Sequence, residues 1–303
     1  MNLGMVVNRT IVSLLPMVPR GLVWRFSRRY IAGTDLKAAL DEVERLNSAG
    51  MSATLDVLGE DVTEAADAEA FRDLYLEAID EIARRGCDCN ISIKLSQMAL
   101  RFDVDLCREI IRSLGEAAQK HDNFVRIDME DSSVTTATLD LYRQLRGELP
   151  LGTVVQSCLR RTADDVQALL DTGATHLRLC KGIYLEPEEI AFQDRTEVQE
   201  SYNALLRQML EGGIEKVGIA THDPVLVDAS RAIIAELQVP KERYEFQMLL
   251  GVAERMRSEL VQEGHPLRVY VPFGDAWYPY SVRRLRENPQ IAGHVLKNLF
   301  RRS

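Results

Sequence analysis

The chain has 303 residues, 46% hydrophobic and 27% charged, with a mean hydropathy of -0.15 and a net charge of -9. That length and composition describe an ordinary globular chain able to bury a full core without disulfides or metal, as two modest domains or one α/β barrel. The acidic balance argues against a nucleic-acid-binding protein, which would show a basic face.

The first 34 residues stand apart. They carry Arg9, Arg20, Arg25, Arg28 and Arg29, no acid, and many large apolar residues such as Leu14, Leu22, Trp24 and Phe26. A transit peptide or a membrane-surface helix has that composition, and so does a helical arm packed on the domain with its arginines in solvent. We read residues 1–50 as an N-terminal helical arm and 51–303 as the catalytic domain. No run of about 20 apolar residues predicts a membrane span. The five cysteines, Cys87, Cys89, Cys107, Cys158 and Cys180, form no CxxC pair and are expected to be reduced packing residues of a cytoplasmic chain.

From residue 50 short apolar segments alternate with helical ones. The expected strands are 52–59, 90–96, 124–130, 153–158, 176–182, 217–222, 244–251 and 267–274, β-branched and continuous rather than alternating, as in strands buried on both faces. Between them lie helical patterns such as Leu106, Ile110, Ile111, Leu114 and Ala117, or Leu205, Leu206, Met209 and Leu210. Eight strand–helix units predict a (βα)8 TIM-type barrel. A doubly wound open sheet is the structural rival, weakened because neither GxGxxG nor GxxxxGK[ST] follows any strand.

In such a barrel the chemistry collects at the C-terminal ends of the strands. Lys94, Asp128 with Glu130, Gln156, Arg178 with Lys181, Thr221 with His222, Gln247 and Tyr270 fall near those ends of strands two to eight. A charge in an apolar strand is costly unless it is paired or faces a wet site. One shared pocket therefore explains the set better than independent exceptions do. Singly they stay ambiguous: Lys94 and Asp128 also suit a structural ion pair, His222 a satisfied core histidine, and Lys181 or Lys94 a Schiff-base lysine of a lyase. A barrel that only binds small carboxylates is the non-enzymatic alternative. The histidines are single, so no metal is expected. Near the C-terminus Tyr280, Arg283, Arg284 and Glu287 share one helical face, with Pro289 ending the helix. An exposed surface helix would carry such residues, and two adjacent guanidinium groups would also clamp a small carboxylate.

These motifs, in this order, resemble the proline dehydrogenases: L-G-E at 58–60, I-K-L at 93–95, R-I-D-M-E-D at 126–131, V-Q-S at 155–157, R-L-C-K-G-I-Y at 178–184, A-T-H-D at 220–223, F-Q-M-L-L-G at 246–251, V-Y-V-P-F-G at 269–274 and Y-x-x-R-R-x-x-E at 280–287. The resemblance covers roughly residues 50 to 290 and is similar in extent to the single-activity bacterial enzymes. It implies a distorted (βα)8 barrel with its final helix over the mouth, noncovalent FAD, and L-proline as substrate. It also implies Δ1-pyrroline-5-carboxylate as product, a quinone as electron acceptor, and a downstream pyrroline-5-carboxylate dehydrogenase as partner. A quinone acceptor would give the basic N-terminal segment a role as a peripheral contact on the inner face of the cell membrane. By motif position Arg283, Arg284 and Lys94 would bind the proline carboxylate. Tyr184, Leu249, Tyr270 and Tyr280 would wall the ring, Asp128 would support Tyr270 and Lys94, and Glu60 would pair with Arg283. Gln156, Arg178, Lys181, Gly182, Thr221, His222, Gln247 and Glu287 would hold the FAD. Ile183 stands where many members carry alanine and would narrow the pocket or shift Tyr184.

Overall fold

The computed structural model describes residues 20–59 and 61–287, with the side chains of 20, 22, 25, 26 and 283–287 outside the description. Eight strands pair in sequence order, all parallel, and close on themselves. They are β1 Ser52–Val57, β2 Cys89–Ile93, β3 Val125–Ile127, β4 Leu151–Gln156, β5 His176–Cys180, β6 Lys216–Ala220, β7 Tyr244–Leu249 and β8 Leu267–Phe273. The helices are α1 Arg20–Ser27, α2 Leu36–Ser48, α3 Ala65–Arg85, α4 Val104–Lys120, α5 Thr135–Leu145, α6 Thr162–Asp171, α7 Arg195–Glu211, α8 Pro224–Glu236, α9 Glu254–Gln262 and α10 Trp277–Glu287. The expected α/β barrel is the observed one.

The strands alternate, contrary to the expectation of continuous apolar runs. Leu55, Ile91, Ile93, Ile127, Leu177, Leu179, Val217, Ile219, Phe246 and Val269 join the hydrophobic core shared with the helices. Except around Ile219, which lies between Gly218 and Ala220, they have polar neighbours in sequence, and several of these meet across the barrel. Arg178 of β5 donates to Gln247 of β7 and to Asp128 just past β3, and Arg268 of β8 donates to Asn90 of β2. Bonds between non-adjacent strands are made only through the interior, so the polar face lies inside the barrel. A barrel interior is ordinarily filled by Val, Ile and Leu. Here the polar side chains bury each other, which is why an alternating pattern occurs in strands with no solvent face.

The strands are also shorter at their C-terminal ends than expected. β2, β3, β5 and β6 stop at 93, 127, 180 and 220. Lys94, Asp128, Glu130, Lys181, Thr221 and His222 therefore start the following loops.

Helix ends obey local rules. The Asp103 carboxylate accepts from Leu106 N at 2.9 Å to start α4, and Asp223 does the same for α8 through Val225 N at 3.2 Å, with Pro224 at the first helical position. Gly86 ends α3 in the left-handed region at φ 65°. One placement could not be read from a helical pattern. α2 packs on β1 and β8, and its stripe of Leu36, Leu40, Val43 and Leu46 belongs to the main core. Each such side chain contributes roughly 1.5–3 kcal/mol by burial. With the β8–β1 seam covered by a helix that precedes the barrel, α10 is free to contact α1 and to bring Tyr280 onto the barrel mouth. Trp24 and Trp277 meet edge-on there, centroids 4.8 Å apart.

Candidate active site

A cavity of about 710 Å³ opens at the C-terminal ends of the strands. Lys94, Asp128, Tyr184, Leu249, Tyr270 and Tyr280 line it. So do Gln156, Arg178, Lys181, Gly182, Thr221, His222 and Gln247. Glu60 and the side chains of Arg283, Arg284 and Glu287 lie outside the described residues. Seven strands, β2 to β8, and the loops after them thus deliver side chains, chosen from the sequence one by one, to a single site.

The floor is an ion cluster. Lys94 Nζ lies 2.5 Å from Asp56 Oδ1 and 3.9 Å from Asp128 Oδ2. Arg178 Nη1 donates to Asp128 Oδ1 at 2.7 Å, and Ser92 Oγ donates to the same oxygen at 2.6 Å. The Tyr270 hydroxyl donates to Asp128 Oδ2 at 2.7 Å, and its ring lies 5.4 Å from the Arg178 guanidinium carbon. Two cations and two carboxylates make the cluster neutral. Burial alone would raise Asp128, but Arg178 and Lys94, with the bonds from Ser92 and Tyr270, outweigh it and leave its pKa below the ordinary carboxylate range. Asp56 goes the other way: burial raises it further than Lys94 lowers it. Burial, with Asp128 adding to it, holds the Tyr270 phenol well above 10, so the hydroxyl stays a donor.

Asp56 was missed by the sequence reading, which credited Lys94 to Asp128 alone. The signal was there, since Asp56 is an acid inside S-A-T-L-D-V, two residues after Thr54 and on the same face. It gives β1 the inward polar residue that the other seven strands already had.

The rim is basic and is held by a second overlooked acid. Asp223, with a side chain 2% exposed, takes Lys181 Nζ at 3.3 Å, Arg195 Nη2 at 3.1 Å and Gln199 Nε2 at 3.0 Å. Lys181 and Arg195 are thereby fixed at the cavity edge, an arrangement suited to the phosphates of a nucleotide cofactor. His222 Nε2 accepts from Leu249 N at 2.8 Å. A backbone N–H only donates, so Nε2 carries no proton and the neutral imidazole bears it on Nδ1. Gln156 Nε2 donates to the Glu130 carbonyl at 2.8 Å, and the Glu130 carboxylate accepts from Ser96 N at 2.9 Å. At Gly182, φ +99°, a Cβ would come within 2.3 Å of Cys158 Sγ and 3.0 Å of Gln156 Oε1. Ile183 lines the cavity but is 54% exposed.

This geometry disfavours a Schiff-base lyase. Both candidate lysines are ion-paired, Lys94 with Asp56 and Lys181 with Asp223, and an ammonium held by a carboxylate is a poor nucleophile. Among the described residues no group of three or more His, Cys, Asp and Glu is arranged to hold a metal, and no helix is long and apolar enough to cross a membrane. All five cysteines are free thiols, and burial pushes Cys180 up to about 12.

The family model described as proline dehydrogenase matches residues 39–297. The chain belongs to the proline dehydrogenase family. Proline dehydrogenase 1 of Bacillus subtilis is 36% identical over 91% of both chains, and the proline dehydrogenase of Deinococcus radiodurans is 33% identical over 93% of this chain and 92% of its own. Among solved structures, proline utilization A of Bdellovibrio bacteriovorus, inactivated by N-propargylglycine, superposes with a TM-score of 0.80 at 25% identity, over 86% of this chain and 32% of that one. The Corynebacterium freiburgense protein gives 0.78 at 21% identity, over 97% of this chain and 34% of its own, and shows the shared fold. The chain spans about a third of the length of those two proteins.

Proposed function

We propose that this chain oxidises L-proline to Δ1-pyrroline-5-carboxylate with bound FAD and passes the electrons to a quinone. The observation that carries the reading is the pairing, inside one cavity, of a neutral ion cluster on the floor with a basic rim and a bare Gly182 cradle at the edge.

The donor set fits FAD. Lys181 and Arg195 offer charge to a pyrophosphate, Thr221, His222 Nδ1–H and Gln247 offer hydrogen bonds, and Gly182 leaves the space that a Cβ would fill. Arg178, Gln156 and Glu287 complete the set that we assign to the cofactor. When bound, FAD supplies the two-electron acceptor that takes hydride from the proline C5.

This chain's residues do the rest. Lys94 meets the proline carboxylate with Arg283 and Arg284, whose planar N–H forks can donate to it bidentately. Because the floor cluster is already neutral, that carboxylate needs those added cations, and Glu60 closes the site by pairing with Arg283. Asp56 and Asp128 hold the Lys94 ammonium in place, so the substrate is oriented by groups that are themselves immobile. Tyr184, Leu249, Tyr270 and Tyr280 enclose the ring and displace water. An apolar wall disfavours the substrate ammonium, so proline reacts as the neutral amine that can push electrons toward the imine. Tyr270, held by Asp128, crowds the C4 position and selects proline over 4-hydroxyproline.

A visible spectrum of the purified protein, taken before and after anaerobic addition of L-proline, tests this. Flavin bands that bleach with proline are expected. A colourless protein that added FAD does not restore would refute the reading, and bands indifferent to proline would remove the substrate. The quinone acceptor places residues 1–34 at a membrane surface and the rest of the chain in the cytoplasm. Equal soluble fractions with and without that segment in a liposome pull-down would remove the membrane contact. Pyrroline-5-carboxylate, once released, is the substrate for a pyrroline-5-carboxylate dehydrogenase.

A further inference from the structure

The arm that precedes the barrel is fixed to it by backbone at three points. The Arg29 carbonyl lies so close to Gly251, φ +72°, that a Cβ there would come within 2.1 Å of its oxygen. Ala32 N donates to the Pro272 carbonyl at 2.9 Å, and Gly274 N donates to the Gly33 carbonyl at 3.1 Å. Gly251 follows β7, and Pro272 and Gly274 flank the end of β8. The arm is therefore held at the C-terminal end of the barrel, beside the catalytic mouth.

From that anchor α1 reaches the last helix. Among the described residues α10 packs chiefly on α1 rather than on the strands. Trp24 and Trp277, whose edge-on contact joins the two helices, are the chain's only tryptophans. Ile31, Leu58 and Tyr280, all buried, form a hydrophobic cluster separate from the main core, with Tyr30, Ala276 and Trp277 packed against it. Tyr280 is at the same time a wall of the catalytic cavity. A residue of that wall is thus backed by a residue of the arm, and the helix that carries Arg283 and Arg284 rests on one that precedes the barrel.

A helix with little contact to the barrel wall takes its position from whatever it does pack on, and close-packed aromatic rings have few alternative arrangements. We propose that Trp24 and Ile31 are positioning residues of the proline site. Acting through Trp277 and Tyr280, they hold α10 over the mouth, so that the ring wall and the carboxylate clamp stand where the substrate needs them. The inference rests on the proposed function and deepens it, because residues outside the barrel then set the affinity for proline. The groups assigned to FAD reach the cavity chiefly from β4 to β7 and from α7, across from the β8–β1 seam. Loss of the arm's contacts therefore weakens proline binding and leaves the flavin in place.

Steady-state kinetics of the FAD-loaded full chain, with a water-soluble redox dye as acceptor so that no membrane enters, test the proposal. Trp24→Ala and Ile31→Ala should each raise the proline KM about tenfold, with kcat within about twofold of wild type and flavin per chain unchanged. Trp24→Phe, which keeps an aromatic ring against Trp277, should stay within about threefold of the wild-type KM. Leu40→Ala, in the core stripe of α2, should lower the urea midpoint and leave KM unchanged, which separates positioning from general destabilisation. An unchanged KM in either arm variant, flavin lost in step with affinity, or an equal rise in Leu40→Ala would overturn the proposal. A wild-type chain that carries flavin but does not oxidise proline would instead remove the proposed function, and this inference with it.

Discussion

Replacing Asp56 with asparagine removes the charge of a carboxylate that is 1% exposed and lies 2.5 Å from Lys94 Nζ. Breaking a buried pair from one side costs about 3–5 kcal/mol, most of it the penalty of the charge left behind. Two features reduce that figure. Asp128 remains 3.9 Å from the ammonium, and the asparagine oxygen still accepts a hydrogen bond. The expected loss is therefore about 2–3 kcal/mol. Lys94→Met alone leaves the mirror-image problem, an unpaired Asp56 carboxylate in the barrel interior. The double variant Asp56→Asn, Lys94→Met leaves neither charge, so it should be more stable than the sum of the single losses by about 2 kcal/mol. Urea unfolding of the four FAD-loaded proteins measures the cycle. In parallel, Asp56→Asn should raise the proline KM about tenfold with a smaller change in kcat, because Lys94 is less well placed rather than absent. A coupling below about 0.5 kcal/mol, the additivity expected of independent sites, would refute the claim that the two groups act as one unit.

Three further outcomes are expected, the first from the proposed function and the other two from the geometry. Arg284→Ala should raise the proline KM about 30-fold or more, the effect of removing one half of the carboxylate clamp proposed above, at roughly 2–5 kcal/mol for a desolvated charge pair; an unchanged KM would contradict the clamp. Gly182→Ala places a Cβ 2.3 Å from Cys158 Sγ at a φ of +99°, so the purified variant should carry less flavin per chain than wild type, and equal flavin content would show that the cradle is not used. His176 is held neutral with a pKa of about 4 against 6.5, so the unfolded chain takes up a proton as the pH drops through 6.5 while the folded chain does not until about 4. Stability is therefore lost as the pH falls across that window, by about 3 kcal/mol in all at roughly 1.4 kcal/mol per pH unit, and His176→Gln should flatten that part of the urea-midpoint profile.

Much of the catalytic cavity was legible because a charged or amide side chain inside an apolar strand needs a reason. Lys94, Asp128, Gln156, Arg178, Gln247 and Tyr270 each broke such a run, and each lines the same cavity. What no single strand contains is the partner. Lys94 pairs more closely with Asp56, 38 positions away, than with Asp128, and that choice is a difference between 2.5 and 3.9 Å across a closed barrel. The cluster of Arg126, His176, Lys216, Glu245 and Arg268 at the other end of the barrel escaped for a related reason. His176 and Lys216 begin their strands, where a polar residue is unremarkable, and only barrel closure brings them beside Arg126 and Arg268.

By itself the sequence determined the class of fold, the number and order of the strands, and most of the residues that turn toward the catalytic mouth. Those are local properties, set by side-chain periodicity and by the cost of burying charge. Only the tertiary structure decided that α2 rather than the last helix covers the β8–β1 seam. It also decided that Asp56, Arg178, Gln247 and Arg268 turn inward, and which acid neutralises which base. Those depend on distances between residues far apart in the chain, which exist only once the eighth strand has closed on the first.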